Sequence, residues 1–197
     1  MPNKCRVSAA VIPKFRQVLS QSRFPFLIFS FLPKQVIIMT LSAMFSFAAV
    51  NPLVPVRNFD LTRYLGAWYE IARLPAWFEK DLDSVTAAYS LREDGKVRVV
   101  NEGSREGRHV RSVGRAKFAG KKNIGALRVS FFGPFFGDYT IIDLDMEQYR
   151  YAMVASGRKY LWILSRTPTL DEGVVRRLVG RAGELGFDTK RLYYTRQ

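Results

Sequence analysis

The sequence predicts an all-β domain: an eight-stranded antiparallel up-and-down β-barrel, with a C-terminal α-helix packed against its outer wall. Three observations carry this. Short runs alternating apolar and polar residues recur from Gly66 to Ser165, separated by Gly, Asn, Lys and Pro segments that turn the chain. One amphipathic helical pattern follows them. Eight strands also suffice to close a sheet around one small ligand, and closure removes the exposed edges of an open sheet. A two-sheet sandwich is the competing architecture at this level.

Asn58 to Leu65 reads as a short helical turn that plugs one end of the barrel, after which Gly66 frees the backbone to enter the first strand, Gly66 to Arg73. Val85 to Leu91 keeps its larger apolar residues at odd positions, and Glu93-Asp94-Gly95 turns it back onto Lys96 to Asn101, an antiparallel hairpin. Further strands are expected over Arg111 to Phe118, Ala126 to Phe132, Tyr139 to Leu144, Tyr151 to Ala155 and Tyr160 to Ser165. Thr169-Leu170-Asp171-Glu172 has the spacing of a capping box, with Val174, Val175, Leu178, Ala182 and Leu185 as the apolar face and Gly186 as the stop. Leu192-Tyr193-Tyr194 resembles a short closing strand.

Residues 1 to 48 are set apart from this domain, and 49 to 57, with Pro52 and Pro55, read as a linker to a domain over 58 to 197. Lys4, Arg6, Lys14, Arg16 and Arg23 precede two apolar stretches, and the second, Val36 to Val50, falls short of the ~20 residues of a membrane span. Ser46-Phe47-Ala48 then supplies small residues at alternate positions, the pattern of an export signal cleaved after Ala48. An uncleaved amphipathic anchor, or initiation at Met39, would give the same residues. If the chain is exported in a bacterium, the expected location is the periplasm, in association with the outer membrane, although Leu41-Ser42-Ala43 is followed by Met44 where a lipidated chain would carry cysteine.

Composition narrows the function. The formal charge is +14, but residues 1 to 50 hold six of the 31 basic residues and none of the 17 acidic ones, so the remainder carries only +8. Lys121-Lys122 and Arg176-Arg177 are isolated basic pairs dispersed among acids, and no nucleic-acid recognition motif accompanies them. A modest positive surface suits residence beside anionic phospholipid, and a plain solvated surface accounts for it equally. Cys5 is the only cysteine and lies outside the domain, so no disulfide staples it and no thiol serves it. His109, the only histidine, sits in a Gly- and Arg-flanked hairpin turn with no nucleophile beside it in sequence. Asp143 and Asp145 share a face, as paired catalytic acids would, but one of them can equally answer Arg166 or meet solvent. Neither cofactor nor metal is called for.

Gly66-Ala67-Trp68-Tyr69-Glu70-Ile71-Ala72-Arg73, Phe131-Phe132-Gly133-Pro134-Phe135 and Leu161 to Pro168 together resemble three signature segments of the lipocalin family, in particular its bacterial members related to apolipoprotein D. The likeness runs from about Asn58 to Tyr194. The second family motif, usually Thr-Asp-Tyr, appears as Leu144-Asp145-Met146, which separates the chain from secreted animal members.

The resemblance implies a carrier of small apolar ligands rather than an enzyme, with a lipocalin-fold enzyme acting on a lipid as the alternative. It implies that Gly66, Trp68 and Arg166 form the closed floor, the guanidinium covering the indole. Strand alternation then turns Leu164, Trp162 and Tyr160 inward with Arg166. By the same parity and by family position Tyr89, Val99, Asn101, Leu127, Val129, Phe131, Tyr139 and Ile141 line the cavity, with Ala87, Val85 and Val97. An aromatic in an arbitrary barrel more often just fills the core, and it is the family likeness that singles out Tyr89 and Trp162. Trp77 and Phe78 fall in the loop at the open mouth, exposed to lipid or to a second copy of the chain, or folded back over the opening. The implied ligand is a fatty acid or lysophospholipid, its partners a membrane surface and, as a candidate, a second barrel.

Overall fold

A computed structural model describes residues 51–197, and the expected export segment lies outside them. Among the described residues the first helix is α1 (Leu61–Tyr64), capped by the Asp60 carboxylate, which accepts from the Thr62 N–H. Eight strands follow: β1 (Gly66–Arg73), β2 (Asp83–Leu91), β3 (Val97–Arg105), β4 (Arg108–Phe118), β5 (Ala126–Ser130), β6 (Gly137–Leu144), β7 (Tyr151–Ser156) and β8 (Tyr160–Ser165). Each pairs antiparallel with the next, and β1 pairs with both β2 and β8, which closes the barrel. The expected β-barrel with its outer helix is therefore the architecture found, and a sandwich is excluded.

Closure is incomplete along one seam. β1 meets β2 only from Gly66 to Tyr69; above that, a ninth strand, β9 (Tyr193–Tyr194), pairs with Ala72 and Arg73. The Arg196 carbonyl accepts from the Ser84 N–H, and the Gln197 amide donates to the carbonyls of Glu70 and Val85. The C-terminal residues thus satisfy backbone groups that the diverging strands leave open.

Alternation along the strands sorts the core into two. Trp68, Tyr89, Val97, Val99, Leu127, Ile141, Val154 and Leu164 pack together inside the barrel. On the outer wall Ile142, Met153, Ala155, Leu161 and Ile163 meet Leu178 and Ala182 of α2 (Glu172–Glu184) and Leu185, which caps its C-terminus. The helix differs from its sequence reading in two respects. Its cap is Asp171, whose carboxylate accepts from the Val174 N–H at 3.0 Å, and not Thr169, whose carbonyl is instead taken by the Thr167 hydroxyl. Val179, not Val175, joins Val174 against the wall.

Gly180 and Gly183 each weaken this helix by about 1 kcal/mol relative to alanine, while burying one leucine such as Leu178 contributes about 2 kcal/mol, so docking outweighs propensity. Gly180 faces solvent, and a Cβ there would meet nothing within 4 Å. Gly180→Ala is therefore expected to stabilise the fold by about 0.5–1 kcal/mol, read as a rise in the urea midpoint at unchanged slope. A fall in the midpoint would mean that the helix needs glycine here for a reason other than space.

Three further boundaries move. The strand expected to reach Phe132 ends at Ser130, leaving Phe131 to Phe136 as a loop. His109 lies within β4 opposite Ser104, the turn being Glu106-Gly107. Val56, read as linker, exchanges backbone hydrogen bonds with Ile141 and Gly125 and packs against the barrel core.

Candidate functional site

The barrel interior is organised in levels from floor to mouth. At the floor the Arg166 guanidinium lies 3.8 Å from the centre of the Trp68 ring. Its side-chain N–H groups donate to three backbone carbonyls, Arg63 at 2.7 Å, Ala67 at 2.8 Å and Tyr149 at 3.2 Å. These carbonyls lie at the end of α1, at the start of β1 and in the β6–β7 turn, so one planar cation ties three segments together beneath the indole. Gly66 has φ +94°, a backbone conformation that residues with a Cβ rarely adopt, which explains glycine at the head of the strand. The fully buried indole N–H donates to the Tyr64 carbonyl at 2.9 Å.

One level higher, the Tyr139 hydroxyl stands 2.8 Å from the hydroxyls of both Tyr64 and Tyr89. Burial is the largest influence on all three and keeps them neutral, pushing Tyr89 to about 12. Three hydroxyls offer three hydrogens and their two mutual bonds use two, so one donor remains for a guest. Asn101 lies above them, opposite Ala87 and Ser112, and its buried side-chain oxygen has no hydrogen-bond partner. Around these polar points Val99 and Ile141 are buried and Val129 and Phe131 half-buried against the interior cluster. Gly114 makes room for Phe131, since a Cβ there would lie 2.8 Å from the ring.

Nearer the mouth, the Trp162 indole donates to a Glu79 carboxylate oxygen at 2.9 Å. Burial, then the negative charge of Glu70, pushes the Glu79 carboxyl up to about 7. Glu70 forms a buried ion pair with Arg73, whose other bonds go to the Thr195 hydroxyl and to the carbonyls of Glu79 and Leu82. The Tyr193 ring covers this guanidinium at 4.5 Å. Burial, the dominant influence, also raises Glu70, opposed by Arg73. At the rim Trp162, Tyr160 and Phe78 form a run of rings with centres 6.0 and 5.4 Å apart. Trp77, in the same short helical turn as Phe78, is exposed, as are Phe132 and Phe135 of the β5–β6 loop.

The structure thus brings Tyr89, Val99, Asn101, Val129, Phe131, Tyr139, Ile141, Trp162 and Leu164 to one interior, with Trp68 and Arg166 beneath and Trp77 and Phe78 above. Sequence reasoning missed Tyr64, Glu70, Arg73 and Glu79. Parity could have placed Glu70 two residues from Trp68 on the same strand face, but nothing local marked Glu79, which ends the short helical turn Trp77–Glu79 beside charged Lys80 and Asp81.

Asp143 and Asp145 do not act as a pair and neither answers Arg166: Asp143 binds Arg177 at 3.0 Å and Asp145 binds Arg150 at 2.6 Å. A surface cleft of about 270 Å³ at the β2–β4 rim includes His109, Ser104 and Glu102, on the outside of the barrel. Its carboxylate is engaged by Arg111 at 3.0 Å and is not oriented on the imidazole. Among the described residues no three His, Cys, Asp or Glu side chains are grouped to hold a metal, and no helix is long and apolar enough to cross a membrane.

A family model described as a lipocalin-like domain matches residues 59–197, the whole of this barrel and its helix. The chain is a lipocalin. This lipocalin is 47% identical over 146 residues to the outer membrane lipoprotein Blc of Vibrio cholerae, which covers 73% of the chain and 85% of that protein. It is 49% identical over 145 residues to the Blc lipoprotein of Escherichia coli K12, covering 72% and 81%. Apolipoprotein D of Mus musculus is 35% identical over 158 residues, covering 74% and 82%. Among solved structures, insecticyanin of the tobacco hornworm Manduca sexta superposes with a TM-score of 0.63 at 24% identity, covering 75% of this chain and 85% of that one, a likeness of fold. Lipocalin membership implies binding of a small hydrophobic ligand.

Proposed function

We propose that this lipocalin is an exported carrier that binds a single-chain lipid, a fatty acid or lysophospholipid, in the barrel and serves maintenance of the bacterial envelope. The observation that carries the reading is the interior itself: an apolar wall of Val99, Val129, Ile141 and Leu164 around a tyrosine cluster with one hydroxyl hydrogen to spare and an unpartnered Asn101 oxygen. Such a site gains about 0.8 kcal/mol per buried methylene of a tail, while the few polar atoms orient one end. The names of the Blc relatives support an envelope location, and the export-like pattern ending at Ala48 supports passage to the periplasm. The exposed Trp77, Phe132 and Phe135 support contact of the mouth with a membrane surface, with pairing of two barrels through them the other use of such a rim.

Titration with lysophospholipid or fatty acid below micellar concentration is expected to change tryptophan fluorescence saturably, because Trp162 lies in the path of the ligand. Val129→Trp, which sets a bulky ring against the interior cluster, should abolish that saturation while thermal unfolding shows the barrel intact. Ligand recovered unchanged by mass analysis after incubation supports a carrier, and a cleaved product would support the enzyme alternative. Absence of any saturable response in the parent protein would refute the reading.

A further inference from the structure

We infer that the upper barrel selects lipids whose head group carries an ammonium, which the Glu79 carboxylate receives beside the rings of Trp162 and Tyr160. The inference rests on the carrier reading above and narrows its ligand.

Charge counting leads to it. Two buried carboxylates, Glu70 and Glu79, share one buried cation, Arg73. The guanidinium's ionic bond goes to Glu70, and its remaining bonds go to a hydroxyl and two backbone carbonyls, one of them Glu79's own. The Glu79 side chain therefore has only the neutral Trp162 N–H, on one of its two oxygens. A buried ionised carboxylate without a cation is unfavourable, and a cation supplied by the guest would complete the set.

The surroundings favour a cation as well. Trp162 meets the carboxylate through its edge N–H and stacks on Tyr160, and the Lys159 ammonium already rests 5.2 Å from the centre of the Tyr160 ring. That contact shows the ring in reach of an ammonium, and a flexible lysine stem at the surface can give way to a guest. The inner wall below is formed by apolar residues, Asn101 and neutral tyrosines, so a carboxylate head group would find a like charge at Glu79 and, as a cation, the surface ammonium of Lys159 at the Tyr160 ring. The charged and titratable groups facing Glu79 are Glu70 and Arg73 from β1 and Tyr89 from β2, with Arg105 of β3 outside, donating to the Lys80 carbonyl.

Three probes with one tail length separate the possibilities: decyltrimethylammonium, decanoate and decyl maltoside, each titrated below its micellar concentration by tryptophan fluorescence and calorimetry. Near pH 8, where Glu79 is ionised, the ammonium probe is expected to bind about tenfold or more tightly than decanoate. Near pH 5.5, with Glu79 protonated, that ratio should fall several-fold. Glu79→Gln should flatten its pH dependence, and Glu79→Asp should restore part of it. Decanoate binding as tightly as the ammonium probe near pH 8, or a ratio that ignores pH in the parent protein, would overturn the head-group assignment and leave the carrier reading standing. Failure of all three probes to bind would overturn both.

Discussion

Trp68→Ala is expected to cost about 3–5 kcal/mol, a large share of the 5–15 kcal/mol that holds a domain of this size folded. The indole is fully buried, so its removal leaves a void that the surrounding strands cannot fill without moving. The loss also strips the Tyr64 carbonyl of its donor and Arg166 of the ring it covers. Because Arg166 binds carbonyls of three segments, disorder at the floor should spread to α1 and the β6–β7 turn and appear as faster amide exchange there. Arg166→Lys tests the same floor more gently. It keeps the charge but loses the planar fork, and about 1–2 kcal/mol with it. Urea unfolding measures both, and a Trp68→Ala cost below about 1.5 kcal/mol would show that the floor does not depend on this ring.

The floor was legible through the family likeness of the segments Gly66 to Arg73 and Leu161 to Pro168, which implied that the Arg166 guanidinium covers the Trp68 indole. The strands were legible because a half-buried wall imposes period two, and the same alternation, together with family position, gave the inward positions from Tyr89 to Leu164. What sequence did not disclose is long-range. The tyrosine cluster joins Tyr64, Tyr89 and Tyr139 from three elements, and Glu79 meets Trp162 across 83 positions. A carboxylate in a charged loop looks solvated until the fold places it beside an indole. The helix cap was misplaced for a different reason. Thr169 and Asp171 both have side chains able to cap, and the choice depends on where the chain leaves β8, which tertiary packing decides.

Charge at the mouth gives the second large effect, and it is pH-dependent. The folded protein holds a proton on Glu79 up to about pH 7, whereas an unfolded glutamate releases it near 4.3. A carboxyl raised in this way contributes its stabilisation fully below the unfolded value and loses it as pH climbs through the folded one, so the parent protein should lose stability between about pH 4.3 and 7. Arg73→Met removes the one cation shared by Glu70 and Glu79 and pushes both carboxyls further up. Near pH 8 the variant should lose about 3–5 kcal/mol, the cost of a broken buried pair. Near pH 5 the loss should shrink by about 2 kcal/mol or more, because both acids are then protonated in the fold. The part that persists reflects the carbonyls of Glu79 and Leu82 losing their donor. Adding Glu70→Gln to Arg73→Met should recover stability near pH 8 and little near pH 5. A loss of equal size at both pH values would assign the role of Arg73 to packing under the Tyr193 ring instead, and with it remove the charge imbalance from which a cation at Glu79 is argued.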